Sequence, residues 1–164
     1  MVQRAALRIE EATEESVPLI LAFIRELAEY EKVLDRVSVT EESLLVTLFG
    51  PNPFVDAIIA YENDEPVAFA IYFFTYTSFT GLPSLYLEDI FVRPASRGAG
   101  VGRQLLAFLA RRASQRGCGR MEWSVVNWNE PAMGFYKKLG AEPVNDWTVF
   151  RLAKDKLEEL ARLG

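Results

Sequence analysis

Three groups of residues in this chain are able to do chemistry. The first is Arg97, Gly98, Ala99, Gly100, Val101, Gly102 and Arg103, a glycine-rich turn between an apolar strand and an amphipathic run. A helix beginning near Ala99 leaves its first amides without intrahelical acceptors, with the positive end of its dipole facing the turn. Small residues let an anionic group such as a phosphate approach that backbone closely, and the two arginines add positive charge beside it. Glycine used merely for its dihedral freedom in a strand-to-helix turn accounts for the same spacing, and spacing alone leaves the two readings open. A P-loop is excluded, since Gly102 is followed by Arg103 and Gln104 rather than by Lys and Ser or Thr. A dinucleotide fingerprint fits poorly, because the third glycine comes one residue early and the turn lies mid-chain.

The second group is made of carboxylates. Glu88 and Asp89 are adjacent, so on a regular strand they face opposite sides and one at most enters a site. The other is free to satisfy backbone or hold a neighbour, and an exposed edge would solvate both. Glu29 and Glu31 flank Tyr30 at the end of the first helix, where the dipole is negative and like charge is locally unfavourable. A cation-recruiting patch and an ordinary exposed helix end both fit. The third group is phenolic and strand-borne. Tyr136, near pKa 10, stays protonated at neutral pH and can donate a hydrogen bond, or it packs beside Phe135. In "EWSV", Glu122 and Ser124 share one face while Trp123 turns to the other. The chain has no histidine, so acid–base chemistry falls to carboxylates, Tyr, Lys, Cys or water. The single cysteine, Cys118, excludes an internal disulfide, a Cys-His pair and a Cys/His zinc site, and reads as a half-buried structural thiol.

These residues need a mixed α/β scaffold to meet. "ALRIEEA" alternates as a first strand. The first helix starts near Ser16, with Pro18 in its first turn and an apolar stripe of Val17, Ile20, Leu21, Ile24, Leu27 and Ala28. Thr40 caps a short helix over Glu41–Phe49. "FVDAIIAYE", "VAFAIYFFTYT" and "SLYLEDIFV" are three strands joined by short turns, hence antiparallel neighbours. Val101, Leu105, Phe108 and Leu109 give the central helix its buried face. "RMEWSVV" is the strand after it, so the β-α-β passage across the glycine turn predicts one parallel pair. "EPAMGFYKKLG" is a helix stopped by Gly140. "WTVFRLA" reads as a last strand and "KDKLEELAR" as a terminal helix. Trp128 is expected in the core or in the wall of a cofactor site.

Length and composition fit one soluble domain over residues 1–164. The charged start "MVQRAALRIEE" does not read as a signal peptide, and the apolar run Val67 to Tyr76 is far too short to span a bilayer, so a cytoplasmic protein with no membrane partner is expected. A net charge of −5 disfavours a nucleic-acid partner and gives a weak preference for a cationic substrate.

Arg97 to Gly102 matches the R/Q-x-x-G-x-G/A signature of the GNAT superfamily of N-acetyltransferases, and Asn127 to Ala141 resembles that family's N-x-x-A-x-x-F-Y-x-K-x-G segment. Within the superfamily the chain most resembles the spermidine/spermine N-acetyltransferases and their thialysine-acetylating relatives. The stretches that carry the likeness include "IRELAEYE", "YFFTYTSFTG", "LYLEDIFV" and "WNEPAMGFYKKLGA", from about Ile24 to Ala141.

The resemblance implies a central, mostly antiparallel sheet with one splayed parallel pair and helices on both faces. It implies acetyl-CoA as cosubstrate and no metal. The pantetheine arm would lie on the backbone of Ile90, Phe91 and Val92. The pyrophosphate would lie on Arg97 to Arg103, with Asn129, Glu130, Pro131 and Ala132 on its other side. Tyr136 would be the general acid toward the departing thiolate, and Glu88 would contact the substrate amine. Tyr30, Glu31, Glu122, Trp123 and Ser124 would line the amine site. The "VNDW" loop is shorter and less acidic than its counterpart in polyamine acetylators. The substrate implied is a primary amine of a small cation, a polyamine, a diamine or a lysine-like amine such as thialysine. Asp146 is the loop's remaining carboxylate, a departure that argues against a long polyamine and leaves room for lysine-like amines. Transfer would be direct, in a homodimer with sites near the subunit interface. Acetylation of a protein N-terminus or lysine, and a catalytically silent acyl-CoA-binding module, are the alternatives.

Overall fold

A computed structural model describes residues 6–163, so the charged start of the chain lies largely outside it. The chain divides into two compact units, Met1–Ser124 and Val125–Gly164.

The first unit holds β1 (Leu7–Glu11), α1 (Val17–Tyr30), α2 (Glu41–Phe49), β2 (Asp56–Glu62), β3 (Glu65–Thr77), β4 (Leu82–Val92), α3 (Val101–Gln115) and β5 (Arg120–Trp123). The strands form one sheet in the order β1-β2-β3-β4-β5. The first three pairings are antiparallel and β4–β5 is parallel. The turn lengths predict the β2–β3 and β3–β4 pairings and the β-α-β passage the parallel one, while the β1–β2 pairing has no local signal in the sequence. Pro18 sits in the first turn of α1. Thr40 caps α2 reciprocally, accepting from the Ser43 amide while the Ser43 hydroxyl accepts from its own.

Strand alternation separates two cores. Ala57, Ile59, Phe69, Ile71 and Phe91 pack with Val17, Ile20 and Phe23 of α1 and Leu44 and Leu48 of α2. The stacked rings of Phe23 and Phe69, 5.1 Å apart, form the centre of that layer. Residues of opposite parity, among them Ile58, Ala70 and Tyr72, face the side covered by α3, whose Leu105 and Leu109 are fully buried. Arg116, just past the end of α3, lies over the Phe74 ring at 4.9 Å. Helices therefore cover both faces of a mixed sheet. Among the described residues no helix is long and apolar enough to cross a membrane.

The second unit contains α4 (Glu130–Lys138) and α5 (Lys154–Ala161). α4 stops where predicted, with Gly140 at a left-handed φ of 91°. The expected strand over residues 147–153 is absent: that stretch has no regular structure, and Val149 and Phe150 are 90% and 92% exposed. Alternating apolar residues supply a strand's faces, but its backbone still needs a partner edge. Among the described residues the second unit offers no other strand. Trp128, expected in the core or a cofactor wall, is 48% exposed.

Candidate active site

The last half of β4 differs from the rest of the sheet. Its parallel pairing with β5 runs from Ser84 opposite Arg120 to Leu87 opposite Trp123 and goes no further. Among the described residues, the β4 backbone from Glu88 to Val92 thus has no ladder partner on the β5 side. β5 itself ends at Trp123, short of the predicted "SVV".

At the same point β4 bulges. Ile71 of β3 lies opposite Asp89, and its neighbour Tyr72 lies opposite Leu87, which leaves Glu88 as the extra residue. A bulge breaks the regular alternation and re-aims side chains. Glu88 is exposed and Asp89 is half-buried. Asp89 shares the parity of Phe91 and so faces the α1 side of the sheet. Burial, with the charges of Glu88 and Glu31 in support, pushes its carboxyl up to about 6. Glu31, half-buried just beyond α1, is also pushed upward by burial. The resemblance ranks Glu88 above Asp89 as the residue entering a site. The structure puts Asp89, with Glu31, in the enclosed part of the carboxylate cluster. The only signal for this in the sequence is the pair itself, because the bulge is a property of strand register.

The end of α1 is tied to the end of β4. Arg93, the residue after β4, donates to both carboxylate oxygens of Glu26 and to the Pro66 carbonyl at 2.7 Å, and covers the Phe23 ring at 4.6 Å. Four residues on, Arg97 donates through Nε to the Val92 carbonyl at 2.8 Å, and its guanidinium lies 4.8 Å from the Tyr30 ring centre and 5.3 Å from that of Phe91. Tyr30 is thereby held against the strand that carries Asp89. Arg93 donates its amide to the Val67 carbonyl of β3, so alternation turns the Phe91 backbone groups toward β3 as well. Ile90 remains the backbone open to a ligand, whereas the Val92 carbonyl is engaged by Arg97.

The glycine turn begins immediately after Arg97. Gly98 and Gly100 have φ of 78° and 90°, values that disfavour side chains. They also explain why α3 starts at Val101 rather than near Ala99. No side chain caps α3, and a Cβ built on Gly98 or Gly100 would meet no protein atom within 4 Å. Glycine is thus required by the backbone, as the conformational reading expects, and the helix end carries no capping side chain. Its first-turn amides, together with Arg103, match the demands of a diphosphate.

Further along the sheet, the Ser124 hydroxyl lies 3.0 Å from the hydroxyl of Tyr86, a residue with no distinguishing signal in the sequence. The Glu122 carboxylate is paired with Arg120 at 3.2 Å. Cys118 is half-buried, as expected, and burial pushes its thiol upward.

In the second unit, Asn129 caps α4 by accepting from the Ala132 amide at 3.3 Å, and Pro131 occupies the first turn. Half-buried Tyr136 lies on this helix, 5.4 Å between ring centres from Phe135. Asp146 is exposed.

Comparison with known proteins adds a relationship to this geometry. Residues 21–141 match the model of the acetyltransferase (GNAT) family. The chain is 38% identical over 168 residues to a thialysine N-epsilon-acetyltransferase of Sus scrofa, covering 96% of this chain and 98% of that protein. It is 37% identical to a human spermidine/spermine N(1)-acetyltransferase-like protein 1 across 94% of this chain, which matches 24% of that longer protein. Among solved structures, an integron cassette protein from V. cholerae superposes with a TM-score of 0.79 at 28% identity, over 95% of this chain and 98% of that one.

Proposed function

This chain belongs to the GNAT acetyltransferase family, and from that premise we propose that it uses acetyl-CoA to acetylate a primary amine of a small, cationic, lysine-like substrate. One observation carries the reading. A single strand, β4, leads from a carboxylate cluster suited to an ammonium group into a bare, glycine-lined helix end suited to a diphosphate.

Acetyl-CoA, when bound, supplies a thioester carbonyl for the amine to attack and a thiolate that must be protonated. The open backbone of Ile90 would take the pantetheine arm, and the amides from Gly98 to Arg103 the pyrophosphate. The carboxylates of Glu31, Glu88 and Asp89 attract the substrate's positive charge. An amine attacks only after losing a proton, and Asp89, whose carboxyl burial and like charge push up to about 6, is suited to accept it. Glu88, exposed at the bulge, would bind the ammonium or relay its proton through water. Tyr30, pinned beneath Arg97, lines the amine site, and Ser124 with Tyr86 would hydrogen-bond the distal part of the substrate. By its match to the family motif alone, Tyr136 would be the donor to sulfur, and Asn129 to Ala132 would contribute to cofactor binding. Transfer is direct, and the protein works as a cytoplasmic homodimer of single-domain subunits.

The name of the Sus scrofa relative and the single carboxylate of the "VNDW" loop both favour a lysine-like amine over a long polyamine. The test is thiol release from acetyl-CoA across thialysine, lysine, ornithine, diamines, spermidine, spermine and lysine-containing peptides. Thialysine or another short diamino substrate is expected to show the highest kcat/KM. A peptide turned over fastest would replace this reading with protein acetylation. Coenzyme A binding without turnover of any amine would leave a silent acyl-CoA module.

A further inference from the structure

Glu26 and Tyr30 lie four residues apart on α1 and so share one face of that helix. The residues that grip them, Arg93 and Arg97, are also four apart and follow directly on β4. Tyr30 and the turn after Arg97 belong to the proposed site. Glu26 and Arg93 have no part in the proposed acetyl transfer.

Arg93 nevertheless makes the densest set of polar contacts at this end of the sheet. Its Nε and Nη2 donate to the two carboxylate oxygens of Glu26 at 3.0 and 2.7 Å. Its Nη1 donates to the Pro66 carbonyl at 2.7 Å, and its amide to the Val67 carbonyl at 2.9 Å. The guanidinium also covers the ring of Phe23, which stacks on Phe69 in the core. One residue thus joins α1, the start of β3 and the exit of β4. The side chains of Arg93 and Glu26 are 33% and 34% exposed, so salt screens this pair less than one on the open surface. Two parallel donors on two oxygens fix orientation as well as distance, which a lysine cannot do.

What the pair holds together is the carboxylate cluster. Glu31 follows α1 without slack: its amide donates to the Leu27 carbonyl, and the Val33 amide returns to the Ala28 carbonyl at 2.8 Å, with Lys32 between them at a left-handed φ of 61°. The position of α1 therefore sets the position of Glu31. Asp89 precedes Arg93 by four residues on the strand to which α1 is tied. The charges that reach Asp89 are those of Glu88 on its own strand and Glu31 from α1, and Ile71, opposite it on β3, carries none. Burial and like charge both oppose bringing two carboxylates together. Their elements have to be fastened by something else.

We propose that the Glu26–Arg93 pair is a positioning device for the amine-binding carboxylates, setting the end of α1 against β4 and so keeping Glu31 beside Asp89. This rests on the reading of that cluster as the amine site. If the pair is broken, α1 is free to draw back, and Asp89 gains water and loses the like charge of Glu31. Both changes lower its pKa toward the ordinary carboxylate range. A weaker and less firmly placed base takes the ammonium proton less readily.

The experiment follows the side-chain carboxyl carbon of Asp89 by NMR as pH is varied, in the native chain and in Glu26→Gln and Arg93→Met. The native midpoint should lie at about 6. Each variant should lower it by about one unit, within the range that burial and a neighbouring charge account for. kcat/KM for thialysine should fall by about tenfold, since small misplacements of reacting groups are costly, and its acidic limb should move down with the midpoint. Coenzyme A affinity, measured by calorimetry, should not change. The double variant should be no worse than either single one, because the two residues act as a unit. Arg93→Lys, which keeps the charge without the fork, should recover part of the loss. Glu26→Gln keeps the shape and an acceptor for Arg93, so it carries the test even if Arg93→Met does not fold. An unchanged Asp89 midpoint in a folded variant would overturn the proposal and leave the pair an ordinary staple. A midpoint that falls while kcat/KM holds would overturn it as well, as would an equal loss of coenzyme A affinity. A native chain that acetylates no amine, with the midpoint still falling in the variants, would support the positioning and remove the acetylation reading instead.

Discussion

A carboxyl group becomes a useful base at neutral pH when its surroundings resist its charge without preventing ionisation altogether. Asp89 has both sources of resistance, burial first and then the charges of Glu88 and Glu31, and its carboxyl is pushed up to about 6. If Asp89 accepts the substrate's proton, kcat/KM should fall below about pH 6, because that quantity reports the free enzyme's groups. Asp89→Asn should remove this acidic limb and lower kcat/KM by about a hundredfold or more, the usual range for a general base. Glu88→Gln should retain the limb, since Glu88 lies outside the enclosed part of the cluster. The check is a pH–rate series on thialysine with both variants. An Asp89→Asn enzyme that keeps its limb and its rate would move the proton to another acceptor. The adjacent acidic pair is legible in the sequence and the choice within it is not. Alternation assigns adjacent residues to opposite faces, and only the register of β3 against β4 reveals that the rule fails at Glu88.

Elements carry the same lesson. The helices are legible because their ends have local chemistry: Pro18 in a first turn, the Thr40–Ser43 capping box, Gly140 past a last turn. The glycine turn is legible as a turn, but its left-handed residues and the later start of α3 come from the backbone alone. Residues 147–153 have a strand's pattern without forming one, because a strand is only half specified by its own residues. The splaying of β4 from β5 is implied by resemblance and not by any pattern in the strands themselves. For the turn, the consequences can be separated. Gly100, at a φ of 90° with no protein atom within 4 Å of where a Cβ would stand, should tolerate alanine sterically but not conformationally. Gly100→Ala should cost about 1–2 kcal/mol of stability, the ordinary cost of the left-handed region. The new methyl group would also project beside the bare helix end and weaken coenzyme A binding. Urea denaturation measures the first effect and calorimetric titration with coenzyme A the second. Unchanged affinity in a destabilised variant would leave the turn a purely conformational device.

At the scale of the whole molecule, the group proposed as the base sets a relation between stability and activity. A carboxyl with a folded-state pKa of about 6 against an ordinary 3.8 binds more protons folded than unfolded throughout the interval between those values. Linkage then requires its contribution to stability to fall as pH rises through that interval. Above it the ionised group opposes folding by at most about 3 kcal/mol, one pKa unit corresponding to about 1.4 kcal/mol. Glu31, also pushed upward by burial, acts in the same direction. Asparagine in place of Asp89 fills nearly the same volume and cannot ionise. Asp89→Asn should therefore be more stable than the native chain near pH 7.5, by about 1–3 kcal/mol, and the advantage should shrink as pH falls toward about 4.5. Urea denaturation of both proteins across that range measures the difference directly, and other titrating groups common to the two chains cancel. A variant that is more stable and less active would show the carboxylate kept at the expense of the fold, as expected of a functional group. A variant less stable than the native chain near pH 7.5 would instead make Asp89 a structural residue whose hydrogen bonds support β4, and the base would have to be sought in Glu31 or in water held by Glu88.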